Sequence, residues 1–187
     1  VRHNHKIGRI GHMKKLEILN VNDSSRITDD DIKGLNLIKL RATDNQKIGR
    51  ISHMKKLKIL YADGNSGVTD DDIKGLNLVE LYASHNHKIG RIGHMKNLKI
   101  LHVDGNSGVT DDDIKNLNLV ELYASCNPNV GRISHMKNLK ILWACYDSGI
   151  TDDDIKNFDL DDLYATRNAK ISFRSYMILS NNIQSKK

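Results

Sequence analysis

The chain has 187 residues, a formal net charge of +6 and an apolar fraction of 39%. The apolar residues are strictly periodic, which excludes a disordered chain, and no run approaches the roughly 18 apolar residues of a membrane span. Two cysteines are too few for a disulfide framework, so a reducing, intracellular (cytoplasmic) compartment is the expectation.

The chain opens at Val1, without an initiator Met or a secretory pattern, in the middle of a repeating unit. The expectation is a truncated first unit, preceded in the parent protein by further repeats or another domain. From Leu16 the repeat is plain. The stretch Leu98–Ser125 reads LKILHVDGNSGVTDDDIKNLNLVELYAS, and close copies begin at Leu16, Leu57 and Leu139, at one constant interval. A period of about 40 residues signals stacked structural repeats, each packing only on its neighbours.

Each repeating unit divides in two. The first half, A, has Leu57, Leu60, Ala62 and Asn65 at positions one, four, six and nine; the second, B, has Leu78, Leu81, Ala83 and Asn86. The half-units start at Leu16, Leu37, Leu57, Leu78, Leu98, Leu119, Leu139 and Leu160, each A half being one residue longer than the B half that follows. Side chains on a strand alternate between faces, so Leu60 and Ala62 are predicted inward and the residues between them outward. The asparagine column Asn45, Asn65, Asn86, Asn106, Asn127 and Asn168 is predicted to satisfy backbone groups where the chain leaves each strand.

After each A strand comes T-D-D-D-I. Thr69 is predicted to N-cap a short helical turn, with Asp72 closing a capping-box pair and Asp70 and Asp71 in the first turn. Ile73 and Leu76 are predicted to face the core. After each B strand the glycine-interrupted Gly90–Met95 segment predicts a turn or a 3₁₀ piece. At the C-terminus Phe173, Tyr176, Met177 and Ile178 are predicted to cover the last core layer, and Ser180–Lys187 to be a frayed polar tail. The domain expectation is one solenoid over 1–179, with a cap over 167–179 and a tail over 180–187.

Leucine at positions one and four, an apolar residue at six and Asn at nine resemble the leucine-rich repeat pattern from Val1 to about Met177. The I/V-T-D segment at Ile27, Val68, Val109 and Ile150 is similar to the cysteine-containing subclass found in substrate-binding arms of F-box proteins, although Ser24, Asn65, Asn106 and Asp147 replace the subclass cysteine. The wording is also similar to repeat proteins of amoebae and of large viruses that infect them. The resemblance implies an α/β, right-handed solenoid with a parallel concave sheet of about eight strands and short helical or 3₁₀ convex segments.

Several residue patterns point to chemistry and fail on inspection. Asp63-Gly64-Asn65-Ser66-Gly67 begins like a calcium loop, but Val68 occupies the glycine position and Lys74 that of the closing glutamate. The column His12, His53, His94 and His135 recurs every second strand, about 10 Å apart, too far for zinc ligands that converge at about 2 Å. Cys126 and Cys145 end neighbouring strands, as free thiols or, alternatively, a disulfide. No nucleophile triad or phosphate loop is evident. Neither a catalytic residue, a metal site, a cofactor nor a small-molecule substrate is expected. Arg9, Arg50, Arg91 and Arg132, with Lys14, Lys55, Lys96 and Lys137, form basic columns that interleave with the aspartates, a pattern that disfavours nucleic acid.

The concave face differs. Its fifth positions read Asn20, Arg41, Tyr61, Tyr82, His102, Tyr123, Trp143 and Tyr164. Ile59, Ile100 and Ile141 flank them on A strands, Glu80, Glu121 and Asp162 on B strands, and Asp63 and Asp104 stand two residues beyond. Cross-strand packing alone accounts for such a ladder, yet an exposed apolar strip also marks interaction sites. The expected function is non-enzymatic binding of a protein with basic and apolar anchors through Tyr61, Tyr82, His102, Tyr123, Trp143 and Tyr164, with Asp63, Asp104, Glu80 and Glu121 orienting it. The alternatives are a self-assembling scaffold component, as in a viral particle with a virion-associated location, and the recognition arm of an F-box-type adaptor.

Overall fold

A computed structural model describes residues 9–23 and 26–184, with the backbone alone for 178–182. Eight three-residue strands, β1 (Ile18–Asn20), β2 (Lys39–Arg41), β3 (Ile59–Tyr61), β4 (Glu80–Tyr82), β5 (Ile100–His102), β6 (Glu121–Tyr123), β7 (Ile141–Trp143) and β8 (Asp162–Tyr164), form one parallel sheet in sequence order. Each half-unit thus contributes one strand. Register is in phase throughout, with Leu60 opposite Leu81 and Leu81 opposite Leu101.

The leucine columns explain that register. Leu40, Leu60, Leu81, Leu101, Leu122 and Leu142 are fully buried, and so are Ala42, Ala62, Ala83, Ala124 and Ala144 two residues on. A slip of one residue would turn every one of them to solvent. The opposite wall of the core is Ile32, Ile73, Ile114 and Ile155 from the A halves and Ile51, Ile92, Ile133, Met54, Met95 and Met136 from the B halves.

Four one-turn helices, α1 (Asp29–Ile32), α2 (Asp70–Ile73), α3 (Asp111–Ile114) and α4 (Asp152–Ile155), follow the A strands. The capping pair is formed in all of them. In α2, Asp72 Oδ2 accepts from the Thr69 backbone N–H at 2.9 Å and from its hydroxyl at 2.7 Å. The first aspartate of each triplet has a separate task. Asp70 Oδ1 accepts from the backbone N–H groups of Gly90 (2.7 Å) and Arg91 (2.8 Å), tying each A half to the B half that follows. Asp111 does the same for Gly131 and Arg132; burial raises its carboxyl, but these amides and the Arg132 guanidinium outweigh that and hold it below the usual value. The B halves carry turns at these positions, without a 3₁₀ helix.

The asparagine expectation needs correction in the A halves. Asn45, Asn86, Asn127 and Asn168, all in B halves, are buried. Asn86 Nδ2 donates to the Ala62 carbonyl (2.8 Å), and its Oδ1 accepts from the Lys88 N–H (3.0 Å). Asn65 and Asn106 instead face solvent, and the next residues, Ser66 and Ser107, are buried in their place. The A half is one residue longer, and that residue moves the inward position from nine to ten.

Gly108 shows how tightly the halves stack. A Cβ there would lie 2.6 Å from the His87 carbonyl oxygen and 2.7 Å from that of Ile89. Gly108→Ala is therefore expected to destabilise the fold by about 2 kcal/mol, whereas Gly93→Ala, whose nearest contact is 3.2 Å and whose counterparts in other units are Ser52 and Ser134, should change little. Urea unfolding of the two variants checks this; equal effects would contradict it.

The C-terminal cap is a helix, α5 (Phe173–Gln184). It continues through Gln184, past the expected start of the tail at Ser180. Tyr176 and Ile183 pack on the core, but Phe173 is 78% exposed and Met177 is exposed too, so they do not serve as cap residues. Tyr176 and Ile183 are seven apart, on one face of this helix, whereas Phe173 is its first residue and its side chain meets solvent. The side chain of Ile178 and residues 1–8, 24–25 and 185–187 lie outside the described residues.

Candidate functional site

Three rows of side chains line the solvent face of the sheet, at positions three, five and seven of each half-unit. The strands hold them in phase, so each row runs across the sheet, and neighbouring strands place its members about 4.8 Å apart.

The middle row is a continuous stack. Tyr61 and Tyr82 lie with ring centroids 3.9 Å apart and planes within 8°, Tyr82 and His102 at 4.3 Å, and His102 and Tyr123 at 3.8 Å and 8°. Arg41 closes the N-terminal end with its guanidinium 4.1 Å from the Tyr61 centroid, a favourable cation–π placement. The C-terminal end is different. Trp143 tilts 51° against Tyr123 at 5.3 Å, and Tyr164 tilts 37° against Trp143 at 4.7 Å. Trp143 is 38% exposed and Tyr164 49%, whereas the four rings before them are half-buried.

The position-three row alternates Ile59, Glu80, Ile100, Glu121, Ile141 and Asp162, all half-buried and in register. Two of its acids touch the ladder. The Tyr82 hydroxyl donates to Glu80 Oε2 at 3.4 Å and the Tyr123 hydroxyl to Glu121 Oε2 at 3.1 Å. Burial and Glu121 push the Tyr123 phenol up to about 12; burial, the adjoining Tyr61 and Glu80 raise that of Tyr82.

Position seven is a hydrogen-bonded rail. Asp63 accepts from the Ser84 N–H (3.1 Å) and the Thr43 hydroxyl (3.2 Å). Asp104 accepts from the Ser125 N–H (2.8 Å) and the Ser84 hydroxyl (3.1 Å). Burial raises the Asp63 carboxyl. These two aspartates therefore tie neighbouring strands together. Ser84 and Ser125 adjoin the aspartates in this row although their residue type carries no signal; only the register of the strands brings them in.

His102 has two rings against its faces, and burial between them lowers it from 6.5 to about 4, with Asp104 opposing the shift. A histidine depressed in the folded state binds its proton first in the unfolded chain. Its stabilisation is complete above 6.5 and is lost as pH falls toward 4. The ring edge meets solvent, so the loss amounts to about 1–2 kcal/mol rather than the full shift. His102→Phe, which preserves the stack, should gain on the parent protein by this amount between pH 7.5 and pH 4.5 in paired urea melts. Parallel pH profiles would contradict the assignment.

Three arginines of the B halves pair with the first aspartate of the preceding helices. Arg50, Arg91 and Arg132 approach Asp29, Asp70 and Asp111 at 3.3, 3.6 and 2.9 Å. Cys126 and Cys145 are free, with the Cys126 N–H donating to the Cys145 carbonyl at 3.0 Å. Among the described residues no helix is long and apolar enough to cross a membrane.

Short parallel strands in sequence order, capped turns on the opposite side and a buried asparagine after every second strand define a leucine-rich repeat solenoid. A comparison of the whole chain with solved structures agrees. It is similar to internalin C2 from Listeria monocytogenes, with 23% sequence identity and a TM-score of 0.57, over 91% of this chain and 70% of that one. At this identity the likeness concerns the fold. No family model and no curated protein matches the sequence.

Proposed function

We propose that the chain is a non-enzymatic protein-interaction module that binds its partner on the concave face, with Tyr82, Tyr123, Trp143 and Tyr164 as anchors and Glu80 and Glu121 orienting basic groups. One observation carries this reading. If the ladder served only to bind strand to strand, its best stacking would continue to the end, yet the stack breaks at Trp143 and leaves the two most exposed rings of the ladder at Trp143 and Tyr164. Large aromatics half-open beside acids are the residues that dominate binding energy at interfaces. The opposite side supports the reading by contrast, because Arg50, Arg91 and Arg132 there are paired with aspartates, interleaving the two signs of charge.

The test is capture of partners from a cognate lysate with the parent chain and with a Tyr82→Ser, Tyr123→Ser, Trp143→Ser variant whose fold is verified by circular dichroism. Loss of the captured proteins supports the concave face; an unchanged set from a folded variant sinks it.

A further inference from the structure

We propose that the segment bound on the concave face is a left-handed extended, polyproline II chain bearing Lys or Arg at every third residue, laid across the strands along the solenoid axis. This deepens the concave-face reading and rests on it. The argument starts from a distance set by the repeat. Glu80, Glu121 and Asp162 occupy the same position on β4, β6 and β8, with Ile100 and Ile141 between them on β5 and β7. Two strand spacings separate successive acids, about 9.6 Å.

Only one regular chain conformation repeats a single face at that interval. Polyproline II has three residues per turn and rises about 3.1 Å per residue, so every third side chain returns to the same side after about 9.3 Å. An extended β-strand returns to one face at about 6.7 Å and again at about 13.4 Å, missing the acids both times. An α-helix returns after seven residues and about 10.5 Å, and it drifts by about 2 Å over the two intervals. The polyproline chain drifts by less than about 1 Å.

The remaining chemistry agrees. Glu80 and Glu121 each engage a ladder hydroxyl through one carboxylate oxygen, and an ionised carboxylate keeps further acceptor sites for a cation. Ile100 and Ile141, half-buried between the acids, and the tilted rings of Trp143 and Tyr164 offer the apolar ridges on which prolines pack. The acid row ends at Lys39 on β2, whose ammonium lies 5.1 Å from the Tyr61 centroid. A basic chain is therefore excluded from the N-terminal strands and set in place over β4–β8.

The experiment uses the whole chain and fluorescence anisotropy at low ionic strength. The probe is a labelled peptide of four Pro-Lys-Pro triplets. It is compared with an isomer of the same composition whose lysines alternate with prolines in one block, and with a helical peptide bearing lysines seven apart. The triplet peptide is expected to bind about tenfold tighter than either control. Glu80→Gln, Glu121→Gln, Asp162→Asn together, which keep the side-chain shapes, should remove about tenfold of that affinity while circular dichroism and thermal melting stay unchanged. Equal binding of the isomer or the helix, no binding of the triplet peptide, or indifference to the three substitutions overturns the proposal. If Trp143→Ser still abolishes capture of a protein partner in that case, the concave-face reading stands and the polyproline assignment alone falls; if capture survives Trp143→Ser as well, both fall.

Discussion

Asn127→Leu is expected to lower the unfolding free energy by about 3 kcal/mol. Asn127 is fully buried. Its Nδ2 donates to the Val103 carbonyl at 2.8 Å, and its Oδ1 accepts from the Asn129 N–H at 3.1 Å. Leucine has the same branched heavy-atom skeleton and is larger, so no cavity opens, but the Val103 carbonyl keeps no replacement for the amide. An acceptor left alone inside the protein costs about 1–3 kcal/mol, and the lost bond to Asn129 adds to it. The effect has a second route. The Asn127 carbonyl accepts from the Gly149 N–H at 2.9 Å, which seats the next A half. A turn that opens at Asn127 therefore loosens the stacking of the following unit, and in a linear array such a fault weakens neighbours rather than one distant core. Asn106→Leu, at the corresponding position of an A half, is the control. Asn106 is exposed, and its substitution should stay within about 0.5 kcal/mol. Urea unfolding followed by circular dichroism distinguishes the pair, and a loss for Asn127→Leu no larger than that of the control would remove the structural role assigned to the column.

The second large effect is on binding. The Tyr82, Tyr123, Trp143 serine variant should weaken partner capture by about 100-fold or more, since anchors at an interface centre contribute about 2 kcal/mol or more each on truncation. Much of this resides in Trp143. It is tilted out of the stack and 38% exposed, so Trp143→Ser removes little packing from the free protein, within about 1 kcal/mol. Tyr82 is stacked between Tyr61 and His102 and hydrogen-bonds Glu80, and its substitution weakens the sheet itself. The two residues therefore separate function from stability. Trp143→Ser should reduce affinity with a near-normal melt, and Tyr82→Ser should lower both.

Much of this architecture was legible in the residues because burial imposes period. Leu57 and Leu60, repeated at Leu78 and Leu81, place the strand and its inner face, and the alternation that sends Leu60 inward sends Tyr61 outward. Thr69 and Asp72 are three apart, a spacing that only a helix start rewards, and the capping pair formed as expected. What was not legible depends on neighbours a whole half-unit away in the chain. Asn65 and Asn86 look alike in sequence, yet the extra residue in the A half puts Ser66 rather than Asn65 inside. Asp63 and Asp104 read as free acids on a sheet face, whereas Thr43, Ser84 and Ser125 on the adjoining strands occupy their oxygens. Phe173 reads as a cap because it is large and apolar; it is the first residue of α5 and its side chain meets solvent, while Tyr176 and Ile183 pack on the core instead. The stacking of Tyr61, Tyr82, His102 and Tyr123 was implied by their shared position, but the break at Trp143, on which the functional reading turns, required the ring planes.

The claim that the concave face is the binding face has one direct measurement. A captured partner is titrated against the parent chain, against Trp143→Ser with Tyr164→Ser, and against Arg50→Ala, Arg91→Ala, Arg132→Ala on the convex side. A loss of about 100-fold with the aromatic pair, and less than about threefold with the convex set, is the predicted result. The reverse order, from variants that melt like the parent, would contradict it.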